Sequence, residues 1–330
     1  MSSSRKEPRL ARRFQKDSKD EAFLEDLNDA LVPLQESMYE ILPERYPTLH
    51  VIGVPRSGST LLVQTISSAL DIGYIDNLIA AFWKAPLCGI ALSRKLMSEK
   101  RSSSFESTFG RTDGISEPHE FGYFWFSLLG YTEMREPVVP EEHIIDWERV
   151  KLLMTNICQA FESPVVFKNF LIGWHMRQIS TVLPKTCFVR IKRDPVENAL
   201  SLLRMREQFL GSKDAWVSMK PREYEWLKDR PYWDQIAGQV YYLDKELDRQ
   251  IADCGNTNII ECTLEKLREH PNELLERVSQ LVEKTGSSAE LVRPVSNAFE
   301  VRQSTIDVDD SDKQKIEKAV DAIYSNGGFD

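Results

Sequence analysis

Leu49-His50-Val51-Ile52-Gly53-Val54-Pro55-Arg56-Ser57-Gly58-Ser59-Thr60-Leu61-Leu62 decides the fold of this chain. Val51, Ile52 and Val54 make a brief, β-branched apolar run, the composition of a buried parallel strand. Leu61, Leu62, Thr65, Ile66 and Leu70 then recur at helical spacing. The Pro/Gly/Ser turn between them therefore sits at a helix N-terminus. There backbone N–H groups and the positive end of the helix dipole converge on a concavity the size of a tetrahedral oxyanion. Gly53 to Thr60 also spaces its glycines like a Walker loop. Ser59 stands where the nucleotide-phosphate lysine belongs, however, and the cation, Arg56, lies inside the loop. An ordinary ATP or GTP loop is not what this is.

Outward from this stretch the pattern alternates. Phe23, Leu24, Leu27, Leu31, Leu34, Met38 and Ile41 stripe a predicted helix over residues 20–42 that contains Pro33 and stops at Pro43. A long helix is predicted over 77–96, broken near Pro86, and Asp76 sits at the handover into it. Residues 101–114, rich in Ser, Thr and Gly, read as a lid-like loop. The segment Ser116-Glu117-Pro118-His119-Glu120-Phe121-Gly122-Tyr123-Phe124-Trp125-Phe126 crowds acids, an imidazole and aromatics together. It reads either as chemistry or as an aromatic helix start capped by glutamates. A helix over 150–161 precedes a second strand, Pro164-Val165-Val166-Phe167-Lys168, whose terminal lysine faces the ligand edge. A helix over 172–183 leads to a third strand over 186–192. That strand runs into Arg193-Asp194-Pro195, with Asp194 as N-cap and Pro195 in the first turn of a helix. A helix over 231–254, a strand over 257–261 and helices over 272–285 and 311–324 complete the alternation. Such alternation implies a central parallel sheet with helices on both faces.

Pro55-Arg56-Ser57-Gly58-Ser59-Thr60-Leu61-Leu62 resembles the 5′-phosphosulfate loop of bacterial-type sulfotransferases that use 3′-phosphoadenosine-5′-phosphosulfate (PAPS). Arg193-Asp194-Pro195 after a strand, with Ser201 eight residues beyond the arginine, resembles the 3′-phosphate segment of the same family. The resemblance implies a P-loop NTPase-like fold and transfer of a sulfuryl group from PAPS to an acceptor hydroxyl. It also implies donor contacts from Arg56, Ser57, Gly58, Ser59, Thr60, Leu61, Arg193 and Ser201, with Lys168 assisting at the departing phosphate. The family's glycine-rich C-terminal loop has no counterpart here; Arg302 occupies a comparable place and is the residue expected to contact the donor. Sulfotransferases take the acceptor proton on a histidine or a glutamate. The cytosolic branch places its histidine about sixty residues past the loop. His119, with Glu117 beside it, is the expected base on that ground, and Asp76 is the rival from branches that place the acid earlier. Aromatics over 78–83 and 123–126 suggest a carbohydrate or glycolipid acceptor. A P-loop kinase or NTPase, or a nucleotide-binding module without turnover, is the alternative.

Composition sets limits on these readings. A net charge of −9 and a pI near 5.3 exclude nucleic acid as the main partner and require a local basic cluster for an anionic donor. Five cysteines without a Cys-x-x-Cys pair suggest neither a zinc site nor a disulfide framework. Residues 1–18, with Arg5, Lys6, Arg9, Arg12, Arg13 and Lys16, read as a basic flexible arm able to touch an anionic membrane surface. Without an apolar core segment they are no secretory signal, and the apolar stretch over 78–92 is too short and broken to span a bilayer. The expectation is a cytoplasmic enzyme: an arm over 1–18, then one domain over 19–330 made of an N-terminal helix (19–48), a core (49–270) and C-terminal helices (271–330).

Overall fold

The structure, a computed structural model, describes residues 16–97, 103–131, 137, 139–140, 144–295 and 308–329. Five strands form one sheet: β1 (Thr48–Ile52), β2 (Gly73–Tyr74), β3 (Val165–Lys168), β4 (Cys187–Lys192) and β5 (Ile259–Thr263). Their spatial order is β2-β3-β1-β4-β5 and every pairing is parallel. The first strand is therefore central, with Leu49 opposite Val166 on one side and Cys187 on the other. A central strand has both faces covered, and all five residues of β1 are buried.

The two-residue period of the strands splits the core in two. Leu49, Val51, Val166, Cys187, Val189 and Ile191 point into one layer with α2 (Ser59–Ala69), α11 (Leu264–Glu269) and α12 (Pro271–Glu283). Ile52, Phe167 and Phe188 point into the other. That face is covered by α3 (Asn77–Ala80), α4 (Pro86–Leu96), α5 (Gly122–Leu128), α6 (Trp147–Phe161) and α7 (Met176–Val182). A third cluster joins α8 (Pro195–Leu210), α10 (Tyr232–Asp253) and α13 (Asp310–Asn326); α9 (Tyr224–Leu227) is a single turn beside α10. The chain is thus a P-loop-like α/β fold with helices on both faces of a parallel sheet.

Local departures from the sequence reading have physical causes. α1 spans Ser18–Met38, capped by Asp17, so its first turn reaches into the segment read as an arm; residues 1–15 lie outside the described residues. The helix ends five residues before Pro43, with Tyr39 already extended. The predicted helix over 77–96 is two: Pro86 at the first turn of α4 cannot donate backward, and α3 stops at Ala80. The helix expected over 172–183 begins as a 3-10 turn (Leu171–Trp174) that lays Gly173 against Ile52 and Leu247. A Cβ there would meet Leu247 at 3.0 Å. The strand β2 went unread, because two residues carry no period.

Candidate active site

The loop after β1 closes with Gly58 in the left-handed region (φ 100°), where a side chain is strained and a Cβ would meet Leu264 at 2.6 Å. Arg56 adopts φ 72°, an uncommon conformation for a residue with a side chain and one that collects at functional sites. Among the described residues no side chain caps α2, so the first-turn amides of Ser59, Thr60 and Leu61 have no partner within the helix, and these three residues line a cavity of about 970 Å³. Ser57 does something else. Its N–H donates to the Val54 carbonyl (3.2 Å), and its buried hydroxyl lies under the loop where a Cβ on Gly53 would strike it. Ser57 thus helps to shape the turn.

Two segments far apart in sequence meet here. Arg56 Nε donates to Ser201 Oγ (3.1 Å) and Arg193 Nη1 donates to the Arg56 carbonyl (3.2 Å). Asp194 caps α8 by accepting from the Glu197 N–H, which fixes where Arg193 leaves β4 and where Ser201 falls on the helix. Arg193 also reaches Glu197. Burial lowers the Arg56 pKa to about 10, with Arg193 adding repulsion, and burial likewise lowers Arg193. Adjacent buried cations whose charges are only partly offset make a site suited to an anion. Arg268 of α11, also on the cavity wall, extends the cationic side and carried no sequence signal of its own.

The strand end of β3 presents Lys168, which is buried, donates to Thr60 Oγ1 (2.7 Å) and forms an ion pair with Glu120. Burial lowers the lysine's pKa, with Glu120 acting in the opposite direction. The 103–114 segment folds over this group: a Cβ on Gly110 would lie 3.5 Å from Lys168 Nζ and from Thr60 Oγ1, and 3.4 Å from the Glu120 carboxylate.

His119 lines the cavity, but its Nδ1 accepts from the Phe121 N–H (2.8 Å), which leaves the proton of the neutral ring on Nε2. Burial lowers its pKa to about 4, against a smaller opposing pull from Glu120. Glu117 does not line the cavity. Its carboxylate accepts from Gln64 Nε2 (3.0 Å), Ser103 Oγ (2.8 Å) and the Ser104 N–H (2.5 Å), pinning the root of the 103–114 segment. Asp76 is occupied as well, capping α3 through Ile79 (2.7 Å) and accepting from Ser93 (2.6 Å). Asp113 and Glu120 are the carboxylates on the cavity wall among the described residues, and Glu120, which sequence reasoning quoted without choosing, is the one paired with Lys168. Its signal was adjacency to His119, but which of residues 117, 119 and 120 faces inward follows from a one-residue bridge between Asp76 and Pro118. Arg302 lies outside the described residues.

A helix N-terminus behind a central parallel strand is ringed by Arg56, Lys168 and Arg193 at the carboxyl edge of the sheet, an arrangement whose charge and donors suit a phosphate-sized anion. The chain belongs to the sulfotransferase family, whose model matches residues 47–281. No curated protein matches it. Among solved structures it is similar to sulfotransferase STF9 from Mycobacterium avium (11% identity, TM-score 0.47, covering 92% of this chain and 72% of that one). It is also similar to the sulfotransferase domain from the curacin biosynthetic pathway (12%, TM-score 0.42, 86% and 99%). A sulfotransferase from Alicyclobacillus acidocaldarius matches as well (13%, TM-score 0.39, 83% and 96%). Among the described residues no helix is long and apolar enough to cross a membrane.

Proposed function

We propose that this chain transfers a sulfuryl group from PAPS to an acceptor hydroxyl, carried on a carbohydrate or glycolipid, within the cytoplasm. The observation that supports the donor is the junction of Arg56 with Ser201 and of Arg193 with the Arg56 carbonyl, which brings the two segments that resemble the family's phosphate motifs together beside one cavity. PAPS supplies an activated sulfuryl group on a phosphate leaving group. The amides of Ser59, Thr60 and Leu61 at the α2 N-terminus, the Thr60 hydroxyl, Arg56 and Lys168 would hold its 5′ end. Arg193 and Arg268, both on the cavity wall, would hold the 3′-phosphate, with Ser201 beside them through its hydrogen bond from Arg56.

Glu120 takes the role of base, because it is the cavity's carboxylate beside Lys168. His119 is neutral near pH 7, and its Nε2–H is a hydrogen-bond donor toward the cavity. Glu117 positions the 103–114 segment rather than moving a proton. Two rings, Tyr123 and Phe126, remain to stack on a sugar; Trp83 and Trp125 are core.

Titration with adenosine 3′,5′-bisphosphate, the product, tests the donor without added magnesium. At a hundred times its dissociation constant the bisphosphate should add about 2.7 kcal/mol of stability. Greater stabilisation by ATP with magnesium would overturn the assignment in favour of a kinase. Tight bisphosphate binding with no donor consumption across an acceptor panel would favour a binding module.

A further inference from the structure

Building on the sulfuryl-transfer reading, we infer that the acceptor carries an apolar body, an alkyl chain or aryl ring, seated on a stripe of α8 beyond the donor. Free sugars are therefore poor acceptors.

On α8, Ser201, Met205 and Phe209 fall four residues apart and share one face. Ser201 bonds Arg56, whereas Met205 and Phe209 line the same cavity farther on. At about 1.5 Å per residue the stripe carries the cavity roughly 12 Å from the 3′-phosphate segment. Phe126 and Phe170 also face this cavity, so the wall toward Glu120 and His119 is aromatic too. Phe109, from the loop above Lys168, meets Phe209 edge to face at 5.0 Å and ties the stripe to the reacting end. About 970 Å³ stands at the upper end of single-ligand pockets, so there is room for an acceptor beside a nucleotide.

This far wall is built to hold its shape. Arg206, fully buried on the flank of this stripe, donates to Gln235 (2.8 Å) and to the Lys213 carbonyl (3.2 Å) and lies 5.0 Å from the Trp216 ring. Gln239 donates to the Val217 and Met219 carbonyls (2.9 and 2.7 Å). The network fixes the loop that presents Trp216 and Val217 to the cavity. Ordering a loop through a buried guanidinium is expensive in desolvation, and the wall it creates is apolar.

Calorimetry with octyl β-glucoside below its micellar concentration and with methyl β-glucoside, each on protein saturated with the bisphosphate, separates chain from sugar. The octyl compound should bind at least tenfold more tightly, and Phe209→Ala should remove most of that preference. Met205→Gln, at a half-buried site, repeats the test where Phe209→Ala fails to fold. Equal affinities for the two glucosides, or a preference that survives both substitutions, would overturn the inference. Failure of the bisphosphate itself to bind would instead bring down the donor reading on which it rests.

Discussion

Glu120 and His119 are neighbours in sequence and stand in opposite relations to a proton. The carboxylate is an acceptor held against the Lys168 ammonium. The imidazole has its Nδ1 committed to a backbone N–H and is neutral down to about pH 4. Glu120→Gln keeps the size and removes the basicity. It should lower kcat by a factor of roughly a hundred or more while leaving bisphosphate affinity within about threefold. His119→Ala should cost less, and between pH 5 and 8 its kcat/KM profile should keep the wild-type shape, since the ring does not titrate there. A lost acidic limb in His119→Ala, with Glu120→Gln still active, would return the base to His119. The cofactor side makes its own residue-scale prediction. Arg193→Ala should weaken the 3′,5′-bisphosphate far more than adenosine 5′-phosphate, with Ser201→Ala milder, because both residues are proposed to read the 3′ position. Equal losses for the two ligands would refute that role.

Among the elements, those with strong local chemistry were legible in the sequence. The strand, loop and helix around Gly58 could be read because β-branched residues, a left-handed glycine and a helical stripe follow one another. Asp194-Pro195 announced α8 through cap and first-turn preferences. Position within an extended loop was not legible. Nothing periodic distinguishes Glu117 from Glu120, and only the pairing of residues 75–77 with 117–119 turns one carboxylate toward Ser103 and leaves the other on the cavity. Arg206 and Trp216 carried no signal for a related reason, since Arg206 finds its partners on α10 and Trp216 packs on Arg206 and Tyr224, contacts no local pattern reveals. The 103–114 segment is thus held at its root by Glu117 and, farther along, by Asn77, which donates to the Gly114 carbonyl (2.6 Å). Glu117→Ala strips two hydrogen bonds, from Ser103 and Ser104, from the root, and a third from Gln64 of α2. Amide exchange over 103–112 should accelerate at least tenfold while the β1 amides stay protected. Unchanged exchange in that loop would show that Glu117 does not anchor it.

At the level of the whole molecule, the sheet is organised about a titratable group that no function uses. His50 in β1 is fully buried; its ring stacks on Phe167 of β3 at 5.5 Å and tilts against Phe188 of β4 at 5.8 Å. Its Nε2 pairs with Thr48, and its Nδ1 has no hydrogen-bond partner among the described residues. Burial lowers its pKa from 6.5 to about 3, so the folded state resists a proton that the unfolded chain accepts readily. The stability His50 contributes is complete above pH 6.5 and declines as pH falls from there toward 3. By pH 5 the loss is about 2 kcal/mol, from 1.36 kcal/mol per unit over the interval below the unfolded pKa. Glu44 works the other way: burial raises its pKa to about 7, so it binds a proton more readily folded than unfolded and gains stability over the same descent. A wild-type pH curve mixes the two effects, whereas comparison with His50→Leu at each pH cancels Glu44. Because His50 lies between two neighbouring strands at the centre of the sheet, its exposure requires global unfolding. Urea denaturation at pH 7 and pH 5 should therefore show the wild type losing about 2 kcal/mol relative to His50→Leu. Parallel losses in the two proteins would mean that the ring is protonated without unfolding, and that the centre of the sheet opens to water on its own.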